Sequence, residues 1–223
     1  MELDLYVDTS RKGISMAVAT SGQPEGSARV YEEIVNTEAR GEILGESLDT
    51  LLTRVGATLD DVKRVMVTLG PGSFSGLRTG VAFCQGLCFS GKRELYGVTT
   101  LQALACFAQD ASFVAGKECA ETAVVIRART GFWYLRLNGE EFFIETPEVI
   151  ERIKNAKVKA IVADAPAQED EAFKAVFAEI GASVTLDTGK PLDMWAPLFD
   201  TVKPSLIQEA NYIQPSYFEK LKT

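Results

Sequence analysis

Val65-Met-Val-Thr-Leu69-Gly70-Pro71-Gly72-Ser73-Phe74-Ser75-Gly76-Leu77-Arg78-Thr79-Gly80 decides how the rest of the chain is read. The apolar, β-branched run from Val65 to Leu69 predicts a buried strand, Gly-Pro-Gly a sharp turn, and Ser73 or Ser75 the N-cap of a helix. Such a turn can aim backbone N–H groups at a phosphate, but the spacing is neither G-x-G-x-x-G nor the P-loop pattern. Along the helix Gly76, Gly80, Cys84 and Cys88 recur every four residues and make one stripe of small side chains. That stripe can pack closely on the protein's own sheet or admit a partner, and periodicity favours its own sheet.

Composition sets limits around this stretch. In 223 residues, 23 lysines and arginines face 31 aspartates and glutamates, a net charge of −8. An acidic chain does not by itself grip nucleic acid through phosphates, so any nucleic-acid role would have to be shared with a more basic partner. There is no basic leader with an apolar core and no apolar run near the ~20 residues of a membrane span, so a cytoplasmic protein is expected. Cys84, Cys88, Cys106 and Cys119 include no C-x-x-C pair and read as reduced core residues. The chain has no histidine. Histidine-dependent bases, metal ligands and nucleophiles are therefore excluded, and no catalytic or metal residue is assigned.

Outward from the central strand and helix, Leu3–Val7 and Ile14–Ala19 read as a hairpin around Asp8-Thr9-Ser10, followed by a strand over 27–34. A helix capped by Asn36 or Thr37 runs to about Val55, and a strand over 94–98 leads into a helix capped by Thr99 or Thr100. The order then restarts: strands over 122–126, 132–137 and 141–144, a helix after Thr146-Pro147, a strand over 158–163, a helix over 168–180 and a strand over 183–186. Asn138-Gly139 is a strong hairpin signal. A short helix near 192–202 and a terminal segment returning to the first lobe complete the chain. The βββαβαβ unit used twice is an α/β fold of two tandem ribonuclease-H-like lobes, the arrangement of the actin, hexokinase and Hsp70 group. The expected division is 1–110 plus about 205–223 for the first lobe and 111–204 for the second.

A nucleotide site in such a fold wants a carboxylate in the first hairpin of each lobe. The first lobe supplies Asp8, with Thr9, Ser10, Gly70 and Gly72 as a possible vestigial nucleotide site. The second reads Arg127-Ala-Arg129-Thr130, and its strand end reads Ala163-Asp-Ala-Pro166 without glycine. Asp8 is therefore expected to cap its own turn. A nucleotide-dependent ATPase or kinase-like enzyme stays as the alternative reading.

Leu5-Tyr-Val-Asp8-Thr9-Ser10, the Gly70–Gly80 run with Gln85-Gly86-Leu87, and Tyr96-Gly-Val-Thr-Thr-Leu-Gln-Ala-Leu104 resemble the bacterial TsaB (YeaZ) family of tRNA threonylcarbamoyladenosine biosynthesis. Ala128-Arg129 with Tyr134, and Gln214-Pro-Ser-Tyr217, are similar to later family motifs. Arg40 stands where members usually carry a His, and Arg127 where they carry an Asp. The resemblance implies a non-catalytic paralogue of the metal-dependent TsaD, related to M22 glycoprotease-like proteins but without peptidase activity. It also implies binding to TsaD with TsaE, self-association through first-lobe helices when alone, and ATP or ADP only within the complex. On this basis Leu44, Leu48, Phe74, Leu77, Arg78, Val81 and Gln85 are expected to form an outward partner patch.

Overall fold

The computed structural model describes residues 1–21, 30–38, 43–108, 122–187 and 190–213. The first unit comprises Met1–Thr100 and Pro191–Asn211, the second Leu101–Lys190 and Tyr212–Thr223.

In the first unit, β1 (Leu3–Asp8), β2 (Ile14–Thr20), β3 (Tyr31–Asn36), β4 (Val62–Thr68) and β5 (Glu94–Val98) form a sheet of order β3-β2-β1-β4-β5. β1 pairs antiparallel with β2 and parallel with β4. Its central place explains its composition: Leu3, Leu5 and Val7 point into one core and Asp4 and Tyr6 to the opposite face, all nearly inaccessible. Helices α1 (Leu44–Val55) and α2 (Phe74–Cys88) cover the Leu3/Leu5/Val7 face through Leu48, Leu51, Val81 and Cys84. α1 starts later than the expected Asn36 or Thr37 cap; its N-cap is Ile43, whose side chain makes no capping bond.

The second unit repeats the plan. β6 (Thr122–Arg129), β7 (Phe132–Leu137), β8 (Glu140–Glu145), β9 (Ala160–Ala163) and β10 (Ser183–Leu186) are ordered β10-β9-β6-β7-β8, the same succession of three antiparallel and two parallel strands. Asn138 and Gly139 both take positive φ, 51° and 82°, as the hairpin signal requires. Helices α4 (Thr146–Ala156), α5 (Ala165–Glu169) and α6 (Glu171–Ile180) follow α3 (Thr100–Ala105). Where one helix over 168–180 is expected there are two, because the Asp170 carboxylate accepts from the Ala172 and Phe173 amides and restarts the helix.

The expected boundary also moves. Residues 191–204, read as second lobe, lie in the first unit, where the 3-10 segment Leu192–Asp200 covers the other face of the first sheet. Phe199 meets Tyr96 edge-on at 4.8 Å, and Trp195 meets Tyr6 at 6.4 Å. Beneath them Arg64 donates to both oxygens of Asp4 at 2.8 and 2.7 Å while its guanidinium lies 4.0 Å from the Phe199 ring. A buried carboxylate is tolerable there because it is paired and also accepts from Ser21 Oγ at 2.6 Å. The chain then lies along β5, with Ser205 N–H donating to the Leu95 carbonyl and Asn211 N–H to that of Leu69. Trp195 is 1% exposed, and Trp195→Ala is expected to cost about 3–5 kcal/mol. Urea unfolding followed by far-ultraviolet circular dichroism measures it; a loss under about 1 kcal/mol would show that this cover is dispensable.

Candidate functional site

The end of β1 and the start of α2 meet at the position a nucleotide site would use. Parallel register pairs Val7 with Val67, so Asp8 comes beside Thr68. Asp8 Oδ1 accepts from Thr68 Oγ1 at 2.8 Å and from the Ser10 amide at 2.9 Å. Its carboxylate thus closes its own turn, as the sequence suggests, and ties two strands together. Thr9 and Ser10 follow, 0% and 2% exposed. The Ser10 carbonyl accepts from Ser73 N–H at 2.6 Å, while Ser73 caps α2 by accepting from Gly76 N–H.

This junction is why the glycines stand where they do. A Cβ on Gly72 would lie 2.1 Å from the Ser10 carbonyl oxygen, on Gly76 2.2 Å from that of Thr9, and on Gly80 2.1 Å from Thr9 Oγ1. Gly70 has φ +111°, and its carbonyl accepts from Thr100 N–H at 2.8 Å. Asp8, Thr9, Ser10, Gly70 and Gly72 are therefore brought together, but by packing on one another. The close approach that Gly72 offers is taken by Ser10, and the Asp8 carboxylate is engaged by its own turn and by Thr68. These residues do not fit a phosphate loop. The hydroxyls of Thr9, Ser10 and Thr100, buried around this turn, have no hydrogen-bond partner among the described residues. Among those residues, no group of three or more His, Cys, Asp or Glu side chains could hold a metal ion.

The second unit places its carboxylate on the other strand. Val125 pairs with Ala163, so Ile126 comes beside Asp164 at the end of the parallel pair. Asp164 accepts from Arg127 N–H at 2.6 Å and caps α5 by accepting from Ala167 N–H at 2.9 Å.

The outward patch expected from sequence is corrected. Leu44, Leu48, Leu77 and Val81 are 1%, 4%, 0% and 6% exposed and belong to the interior. The sequence reading makes the glycine stripe the whole buried face of α2, yet a buried helical face spans 100° or more, so Leu77 and Val81, one residue on from Gly76 and Gly80, fall inside it. Gln85 is occupied, its Nε2 donating to the carbonyls of Leu206 and Gln208. Phe74 and Arg78 do face outward, with the guanidinium 5.2 Å from the ring. The outer face of α2 that the sequence reading missed is Ser75, Thr79, Ala82 and Gly86, ending in Phe89, which is 80% exposed. Its signal was a run of small residues spaced four, three and four apart, the rhythm of one helical face. Cys84 and Cys88 lie in the core, where burial pushes the Cys84 thiol well up and that of Cys88 to about 11. Both are protonated, inert core groups. Arg40, Cys119 and Gln214 to Tyr217 lie outside the described residues.

Two sheets of the same strand order, each with crossover helices, define the class: tandem units of the actin-like α/β fold. Residues 35–174, more than half of the chain, match the TsaD family, described as tRNA N6-adenosine threonylcarbamoyltransferase, and the chain belongs to that family. The TsaB protein of Escherichia coli (strain K12) is 32% identical over 101 residues, 45% of this chain and 42% of that protein. The Haemophilus influenzae TsaB protein is 31% identical over 101 residues, 45% of this chain and 41% of its own length. The matched stretches thus span about two fifths of these relatives. In structure, YeaZ from Pseudomonas aeruginosa aligns over 90% of this chain and 93% of its own at a TM-score of 0.58 and 21% identity. An uncharacterized Pseudomonas aeruginosa protein with similarity to the peptidase YeaZ aligns over 96% and 100% at 0.67 and 21% identity. These structures support the fold, and the TsaB relatives support the resemblance carried by the motifs.

The glycines of α2 give a paired prediction. Gly80→Ala drives a methyl into Thr9 and is expected to destabilise by about 1–3 kcal/mol. Gly86→Ala, which meets open space, is expected to stabilise by up to about 1 kcal/mol. Thermal unfolding of both variants checks this, and equal effects would refute the close approach at Gly80.

Proposed function

We propose that this chain takes part in threonylcarbamoyladenosine formation on tRNA as a non-catalytic subunit that binds TsaD, together with TsaE. The observation that carries this reading is the first-unit junction. The carboxylate and glycines that would serve a nucleotide are used for internal packing, while α2 keeps an outer face free of core duties. That face is a strip of small residues bounded by Phe74, 59% exposed, and Phe89. Beside it α1 offers Gly45, Glu46 and Asp49 to solvent. Small side chains let a second helix approach closely, and the flanking aromatics supply apolar area to anchor it. The same strip serves a second copy of this chain when TsaD is absent, which makes homodimer and heterodimer mutually exclusive. Any ATP or ADP belongs to the assembly, and tRNA is held chiefly by the partner. The placement is cytoplasmic; among the described residues no helix is long and apolar enough to cross a membrane.

Size-exclusion chromatography with light scattering, on the chain alone and mixed with TsaD of the same organism, tests the reading. A dimer that converts to a mixed complex is the expected result. Ala82→Glu and Gly86→Glu, both on exposed positions, are expected to abolish the mixed complex with thermal unfolding changed by less than about 1 kcal/mol. Unaltered association of both variants would reject the α2 face. The nucleotide-enzyme alternative draws on the unpartnered hydroxyls of Thr9, Ser10 and Thr100; saturable heat on titrating the isolated chain with ATP and Mg²⁺ would favour it instead.

A further inference from the structure

The β6–β7 hairpin of the second unit ends in an arginine–aromatic stack that none of the preceding roles uses. The Phe132 and Phe143 rings lie 5.1 Å apart and 11° from parallel, with Tyr134 tilted against Phe143 at 5.6 Å. The guanidinium of Arg129 lies 4.3 Å from the Phe132 centroid and 5.6 Å from that of Phe143. A register shift between Arg127 and Arg129 sets Arg127 opposite Trp133 and Arg129 opposite Phe132, so the two arginines take opposite faces of one strand end. Both are exposed, and Phe132 and Phe143 are half-buried.

Among the described residues the ion-paired arginines lie elsewhere; Arg127 and Arg129, like Arg78 over Phe74, have no ion pair. Arg54, Arg64, Arg93, Arg136 and Arg152 each reach a carboxylate within 4.0 Å. Arg127 and Arg129 reach none among the described residues, although the chain carries a net charge of −8. A guanidinium placed over an aromatic ring offers a further planar surface on which a base can stack, and its N–H groups are left for an oxygen acceptor. Glu145, directly opposite Phe132 on the same sheet face, would repel a phosphate laid across the rings. The corner therefore suits a splayed base on Arg129, with the neighbouring backbone rounding the strand end toward Arg127 on the other face.

We propose that Arg129, stacked on Phe132 and Phe143, is a seat for one unpaired RNA base, with Arg127 supplying positive charge to the neighbouring phosphate. Single-stranded RNA is the ligand class because stacking on guanidinium and aromatic planes needs a base freed from its helix. The choice of RNA rests on the tRNA-modification reading; the chemistry of the seat does not. This makes the chain itself a direct, if small, RNA contact.

Fluorescence anisotropy of a labelled single-stranded RNA of about 12 nucleotides, titrated at low salt with the full chain, tests the seat. Arg129→Ala is expected to weaken binding about tenfold, and Arg129→Lys nearly as much because it keeps the charge and loses the plane. Arg127→Ala is expected to make the slope of log affinity against log salt shallower by about 0.7. Wild-type affinity in both Arg129 variants, or full rescue by lysine, overturns the stacking seat. So does equal competition by polyglutamate, which would mark a site for acidic protein. Co-elution of the wild type and the same variants with TsaD is read separately: its absence in the wild type would sink the proposed function, while co-elution retained with RNA binding unchanged in the variants would sink only this inference.

Discussion

The contact between the Thr9-Ser10 turn and the glycine face of α2 is the constraint from which the first unit follows. Helix and strand end approach so closely that the Thr9 and Ser10 carbonyls occupy the space where side chains at Gly76 and Gly72 would be. That approach fixes the rotation of α2, and the rotation sends Leu77, Val81, Cys84 and Cys88 into the core. It also engages the carboxylate of the turn. The Asp8 carboxylate accepts from the Ser10 amide of its own turn and from Thr68, and so links β1 to β4.

Duplication of the strand order brings out a second point. Both units keep a carboxylate at the end of the central parallel pair, yet it sits on β1 in one and directly after β9 in the other. In each it accepts backbone N–H bonds of its own unit. What is common to the two is the need to terminate a buried parallel pair whose next amides would otherwise lack partners. Both aspartates thus close the end of a parallel strand pair.

Much of this was legible in the chain. Central strands rich in Val, Leu and Ile, the Asn138-Gly139 turn and the Ser73 cap are local signals with local physics, and the structure places these elements within a few residues of expectation. The doubled βββαβαβ order followed from them. Other features depend on packing that no local pattern records. The inward phase of Leu77 and Val81 is set by how wide an arc of α2 the sheet covers. The place of Trp195 and Phe199 is set by Tyr6 and Tyr96, about a hundred or more residues away in the chain. The break at Asp170 was a capping signal inside what otherwise scans as one amphipathic helix.

That the first unit is closed by residues 191–211 has a consequence for biosynthesis. The strands β1 to β5 leave the ribosome early, with one sheet face that can be covered at once by α1 and α2. The opposite face, with Tyr6, Tyr96 and the Asp4–Arg64 pair, must wait until the whole second sheet has been made. During that interval the nascent chain carries an uncovered aromatic surface beside a buried-to-be charge pair, the kind of surface that chaperones engage. The strands of the second sheet and helices α4 to α6 are continuous in sequence from Thr122 to Leu186. Completion of the older unit is thereby deferred to the younger, and a chain cut short before Trp195 would emerge with its second sheet finished and its first still open.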